Sequence, residues 1–597
     1  MGIPGLTTYI NEGEKYLEDY KLHDTYLLID GYNVSHLLYS RCINENWAFG
    51  GDYDIYAQCV SDFFDDLFKC NVIPLVLIED GVENRNPRIS IRMMKERIDA
   101  LLCPPFEPNT DYSKIFPLLQ NQIFFRIIEE KNIRYLQCIL EVYHDIAVIA
   151  KILDCPILSC QSDFYMFGCL FIPFHTFDTP IVKNPHGNGY MKPCKIYKIE
   201  NLFKCFQGLN ETKLVLAAIL LDEDEFDCGT FKNFFRYLNL KSSDTSCSYR
   251  RYCIDKILSW LSKYTLNSLI TAILCRVTIP ERQKILILIE MCVNGAMNEF
   301  ADVLMSLGFS KDYVTHLNTS FLNRNFKYDV DINTLRYVEE PYGENDRINE
   351  EQDDDPEIAY LCREYELLPK HAAITNLPTW FVDEYRMGKY PTFIVDLVLR
   401  RLYICPIQME NYFYADSAIK SFKILSVIIG ILRLGINSSL QYVTCIMRNQ
   451  NNNIVCYKLQ SANIIKMCKL PSLFHLNQIP LYIQKDIINN TLGIRNTDCI
   501  NELPAEWRLF QNWKIQKSEH FSGYVSEVIQ RERKKHNYSL RYTMDDTFME
   551  AYNKIDYNDC VLAAPFFVHH FEVSRELIGN QMNAVLSVFA SCLRVGK

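Results

Sequence analysis

No stretch of this 597-residue chain is apolar for the ~20 residues that a membrane helix needs, and runs such as Ile424 to Leu432 stop well short. An excess of positive charge is missing as well. The formal net charge is −11, so any contact with nucleic acid must come from local basic patches. The 23 cysteines lack the even spacing of a secreted disulfide framework, and the chain is too long to need staples. No C-x-x-C recurs at finger spacing, and Cys155 and Cys160 have no partner pair, so structural zinc is not expected. Glu12, Glu14, Glu18 and Asp19 are acids that a signal peptide does not carry, and Leu6 stands where a myristoylation motif needs Ser or Thr. The expectation is a soluble protein with free thiols in a reducing compartment and no membrane partner.

What is present is ample core material, at 48% hydrophobic residues, enough for two domains or one large domain with an extension. Residues 1–260 alternate short β-rich runs with helical periodicity, which reads as a doubly wound, mainly parallel sheet flanked by helices, an α/β fold. Candidate strands are Tyr26 to Ile29, Ile73 to Ile78, Ile133 to Cys138, Pro156 to Ser159 and Cys169 to Ile172. Between the first two, Cys59, Val60, Phe63, Phe64, Leu67 and Phe68 recur at helical spacing. Asp52 or Asp54 can cap that helix. Residues 261–338 read as a helical extension and 339–356 as an acidic linker. Residues 357–597 read as a largely α-helical C-terminal region without internal repeats.

The chemistry-bearing residues are carboxylates at the ends of these elements. Leu27-Leu28-Ile29 delivers Asp30-Gly31, and Ile73 to Ile78 runs into Glu79-Asp80-Gly81. Glu141 follows the third strand, with Asp145 one helical turn on. Asp163 follows the fourth strand, and Asp224 follows the apolar helix Leu214 to Leu221, among Asp222, Glu223 and Glu225. A single acid at a strand end is ordinarily solvated loop charge. Five in order at the ends of successive elements converge on one edge of a doubly wound sheet. Such a cluster suits hard divalent cations, which take oxygen ligands. Two-metal phosphodiester hydrolysis sets its ions roughly 3.5–4 Å apart.

The opening Met1-Gly2-Ile3-Pro4-Gly5-Leu6 with the two strand-end aspartates resembles the flap-endonuclease (XPG-type, PIN-like) nuclease superfamily. Ile29-Asp30-Gly31-Tyr32, Gly50-Gly51-Asp52-Tyr53-Asp54 and Cys155-Pro156-Ile157-Leu158-Ser159 are similar to its Asteroid branch. So are Leu377-Pro378-Thr379-Trp380 and Leu397-Val398-Leu399-Arg400 running on to Tyr403. The resemblance spans roughly residues 1 to 435. It implies a nuclease domain over 1–260 and an Asteroid-type region over 357–597. It also implies two Mg²⁺ or Mn²⁺ ions on Asp30, Asp80, Glu141, Asp163 and Asp224, with Gly2 contacting substrate. Tyr143 and Gln161 stand where the superfamily carries two further acids, and Asp222-Glu223-Asp224 replaces its Gly-x-Asp. Asp145, Gln161 or Asp222 can compensate. With two charges fewer, metal binding is expected to be weakened.

Arg85, Arg88, Arg92, Lys95 and Arg97 fall within thirteen residues, with Arg88, Arg92 and Lys95 at i, i+4, i+7 spacing. The resemblance makes this segment an arch whose basic residues hold phosphate, and the alternative is a solvated helix face. The glycine-rich hairpin that grips duplex in flap endonucleases is absent after Asp224. Arg531, Arg533, Lys534 and Lys535 form a second basic cluster, either a solvated helix or a nuclear-import signal. Two readings stand. One is a nuclear, metal-dependent, structure-specific endonuclease cutting DNA at single-stranded, overhang or junction regions in repair. The other is a degenerate nuclease serving as a nucleic-acid-binding or interaction scaffold, for example in EGF-receptor signalling, with protein partners on the C-terminal helical region.

Overall fold

The computed structural model describes, apart from isolated positions, residues 3–42, 53–78, 87–102, 120–139, 142–221, 230–240, 247–294, 300–317, 326–340, 377–405 and 422–461. Its centre is a sheet of β1 (Leu17–Leu22), β2 (Tyr26–Asp30), β3 (Ile73–Ile78), β4 (Arg134–Gln137), β5 (Ile157–Ser159), β6 (Phe171–Pro173), β7 (Val182–Lys183) and β8 (Tyr190–Tyr197). The order is β1-β8-β6-β5-β2-β3-β4, with β7 paired to β8. The five strands from β6 to β4 run parallel, while β8 and β1 close one side antiparallel. The parallel strands coincide with the five read from the sequence.

Alternation along each strand splits the core into two layers. Leu28, Leu75, Leu77, Leu136 and Ile157 pack on one face with α1 (Leu6–Glu12), α6 (Val142–Leu153), α8 (Glu211–Leu221) and α10 (Cys247–Lys263). Leu27, Ile29, Val76, Ile78 and Leu158 pack on the other with α2 (Gly31–Cys42), α3 (Tyr53–Lys69) and α5 (Gln120–Glu130). In α3 the spacing i, i+4, i+7 buries Val60, Phe64 and Leu67, each contributing roughly 1.5–3 kcal/mol. Phe68, one step off that stripe, is 42% exposed. Asp52 and the side chain of Asp54 lie outside the described residues.

The remaining helices of this half are α4 (Pro87–Leu102), α7 (Ile199–Cys205), α9 (Lys232–Tyr237), α11 (Leu266–Leu274), α12 (Ile279–Asn294), α13 (Phe300–Ser306) and α14 (Lys311–Thr315). Beyond the acidic run, α15 (Thr379–Arg386), α16 (Phe393–Leu399) and α17 (Phe422–Gly435) are joined by a second sheet, order β11-β10-β9. Its strands are β9 (Leu402–Ile404), β10 (Tyr442–Arg448) and β11 (Ile454–Gln460). Helical periodicity did not disclose this sheet, because β9 is three residues long and β11 is half solvent-facing. No described helix is long and apolar enough to cross a membrane. Cys59 is disulfide-bonded, which corrects the expectation of free thiols throughout. Scattered spacing did not reveal it, because a disulfide needs proximity in the fold rather than in the sequence.

Candidate metal centre

From β2 the chain winds outwards through β3 and β4, then returns to place β5 and β6 on the other side of β2. The order therefore reverses between β2 and β5. In open α/β sheets the crevice outside the strands' carboxyl ends at such a reversal is where ligands bind. Asp30 ends β2 and Ser159 ends β5, so both stand at that crevice. Alternation sends Asp30 to the Leu28 face and Ser159 to the Ile157 face, which are the same layer.

The two side chains meet. Ser159 Oγ donates to Asp30 Oδ2 at 2.8 Å, and both residues are fully buried. The Asn33 amide, in the first turn of α2, donates to Asp30 Oδ1 at 3.3 Å. Asn33 Oδ1 in turn accepts from the Cys160 amide at 2.8 Å, tying α2 to the loop after β5. Ser159 Oγ also accepts the Gln161 amide at 3.1 Å. Hydrogen bonds to an ionised carboxylate are worth about 1.5–3 kcal/mol each, and these fix the Asp30 rotamer. The glycine after Asp30 serves close approach, since a Cβ at Gly31 would lie 2.9 Å from the Leu77 carbonyl oxygen.

Asp163 lies in a 3-10 turn, Ser162–Tyr165, directly after this loop, and is buried. Two buried carboxylates following adjacent parallel strands are the oxygen-donor chemistry of a hard divalent cation. The two positions without the superfamily's acids are bonded to each other: Gln161 Nε2 donates to the Tyr143 hydroxyl at 2.8 Å. The Tyr143 ring packs edge-on against Phe164, with centroids 5.8 Å apart. Asp145 sits half-buried in the first turn of α6. Among the described residues no group of three or more His, Cys, Asp or Glu gathers as a metal cluster. Asp80, Glu141, Asp222 and Asp224 lie outside the described residues, as do Gly2 and Arg85.

Along α4, Arg92 is exposed and Lys95 half-buried, while the side chain of Arg88 lies outside the described residues. Sequence reasoning missed Ser159 and Asn33. A strand-ending Ser and an Asn three residues after the acid are the only signals they offered. It also missed His36 on α2, whose ring stacks on Phe116 with centroids 4.2 Å apart. Burial, with the Arg97 charge adding to it, pushes His36 down to about 4. The Cys160 thiol beside the centre is pushed up by desolvation, although the residue as a whole is exposed.

No protein-family model matches the chain. It is 26% identical over 501 residues to protein asteroid of Drosophila melanogaster, covering 72% of this chain and 58% of that one. It is 29% identical over 271 residues to the human single-strand DNA endonuclease ASTE1, covering 44% of this chain and 39% of that one. The matched region thus spans less than two thirds of either relative. The solved catalytic core of Rad2 in complex with DNA substrate superposes with a TM-score of 0.29 at 13% identity, over 52% of this chain and 97% of that one. A likeness that slight carries no weight for function. On its sequence relatives, this chain is similar to proteins of the Asteroid family.

Proposed function

We propose that this chain is a divalent-metal-dependent endonuclease acting on single-stranded DNA or on single-stranded overhangs and junctions, with a repair role in the nucleus. The observation that carries the reading is Asp30, a fully buried carboxylate at the sheet's reversal, oriented through both of its oxygens. A related protein is named a single-strand DNA endonuclease, which supports the choice of substrate. Asp30 and Asp163, with Asp80, Glu141 and Asp224 from adjoining segments, would hold Mg²⁺ or Mn²⁺. The ion, when bound, polarises a phosphate and lowers the pKa of water. Ser159 and Asn33 keep Asp30 aimed. Arg92 and Lys95 on α4, with Arg85 and Arg88, supply sequence-independent attraction for phosphate.

The test is cleavage of labelled single-stranded, overhang and duplex DNA with Mn²⁺, with Asp30→Asn as control. Cleavage of the first two that disappears in Asp30→Asn is expected. No cleavage of any substrate by protein that still binds DNA would sink the enzyme reading. One observation favours the scaffold instead, the Gln161–Tyr143 hydrogen bond, which fills two former ligand positions with neutral, mutually satisfied groups. On that reading the chain binds DNA or protein partners without cutting.

A further inference from the structure

The segments carrying two of the proposed metal ligands are held by the C-terminal unit. Gln137, the last residue of β4 and buried, donates Nε2 to the Tyr390 carbonyl oxygen at 2.9 Å. Two residues on, Ile139 packs not with the sheet's layers but in the core of the C-terminal unit, among Phe381, Tyr385, Tyr390 and Ile394. Glu141 follows two residues later. Two strands away in the sheet, after β2, Tyr32 lies two residues past Asp30. Its hydroxyl shares a hydrogen bond of 3.0 Å with Oγ1 of the buried Thr392. Tyr390 and Thr392 therefore reach the segment after Asp30 and the segment before Glu141 at once.

A third contact fits the surfaces together. Gly388 adopts φ +71°, and a Cβ there would lie 2.5 Å from Cε2 of Tyr135 on β4. The Tyr135 hydroxyl stands 3.3 Å from the Met387 carbonyl oxygen and 3.0 Å from Glu129 Oε1. A side chain at 388 would both strain the left-handed backbone and displace this ring.

We infer that Gly388, Tyr390 and Thr392 form a positioning element of the metal centre, setting the end of β4, at Gln137 and Ile139, relative to the Tyr32 turn that follows Asp30. The C-terminal unit is then part of the site rather than an appendage to it. This rests on the metal-dependent reading above. The whole chain and its Gly388→Val variant are compared by Mn²⁺ calorimetry and by hydrogen exchange. In the variant, exchange over residues 137–143 should quicken and Mn²⁺ should bind at least fivefold more weakly, with β1 and β8 unchanged. Adding Tyr135→Ala, which makes room for the valine, should return much of the affinity.

Thr392→Val removes only the hydroxyl and carries the same two readouts if Gly388→Val does not fold. Faster exchange with unchanged Mn²⁺ affinity overturns the inference and leaves the metal reading standing. Unchanged exchange in both variants overturns it as well, because the contact then holds nothing. A wild-type chain that binds no Mn²⁺ overturns the metal reading itself and this inference with it.

Discussion

Gln161 Nε2 donates to the Tyr143 hydroxyl at 2.8 Å, so the two residues that replace superfamily acids are bonded to one another. The neutral pair satisfies itself without metal. The Tyr143 ring adds edge-on packing against Phe164. Such aromatic pairs contribute about 0.5–1.5 kcal/mol beyond the area they bury.

Tyr143→Asp combined with Gln161→Asp separates an attenuated centre from a degenerate one. In an attenuated centre the double variant gains two oxygen ligands and should bind Mn²⁺ several-fold tighter and cut faster. Its metal-free melting temperature should fall, because clustered carboxylates repel. A drop in melting temperature that Mn²⁺ does not reverse, without cleavage, assigns the centre to a structural role.

Ser159→Ala tests the support of Asp30. The variant removes the donor to Asp30 Oδ2 and the acceptor for the Gln161 amide. Losing a bond to a buried charge costs about 1.5–3 kcal/mol, which should appear in denaturant melts. Mn²⁺ affinity should weaken in parallel, since Asp30 then loses the bond that holds its Oδ2. Intact affinity alongside the stability loss would reduce Ser159 to a packing role.

His36 should make the fold acid-sensitive. Its unfolded value is near 6.5 and its folded value is held down at about 4, so the unfolded chain binds the extra proton between those values. The contribution is fully present above pH 6.5 and is lost as pH falls towards 4, a change of roughly 3 kcal/mol. The charged group facing the ring is Arg97, and Phe116 and Tyr32 flank it. Melting temperatures from pH 7.5 to 4.5 should decline less steeply in His36→Phe than in wild type. Equal slopes would place the acid sensitivity elsewhere.

The central parallel strands were legible because they are short apolar runs ending in a turn, buried on both faces by the alternation that splits Leu27 and Ile29 from Leu28. The antiparallel side was not. Strand β1, Leu17–Leu22, carries Glu18, Asp19 and Lys21 and is only half-buried, as an edge strand is, while β8 contains Pro193. At the site, the buried acids were legible through strand-end position alone. Ser159 and Asn33 were not, because a hydroxyl or an amide near a strand end shows its role only when its partner comes from another part of the chain. The docking of Gly388 on Tyr135 was hidden for the same reason, across more than 250 residues of separation.

The last prediction concerns α4, where Arg92 is exposed and Lys95 half-buried on a helix that also carries Arg88. Each Lys or Arg that neutralises a phosphate releases condensed counterions, so log Kd rises with log salt by about 0.7 per contact on a single strand. If all three residues touch DNA, changing Arg88, Arg92 and Lys95 to Ala should lower that slope by about two. Affinity at low salt should fall steeply and the melting temperature should hardly move, because surface substitutions stay within ±0.5 kcal/mol. Binding of a labelled single strand, followed by anisotropy from 25 to 300 mM salt (roughly a 20 to under 10 Å screening length), measures both quantities together. An unchanged slope would make α4 a solvated face. The phosphate-binding surface would then have to be sought on another element, even in a chain whose metal centre cuts.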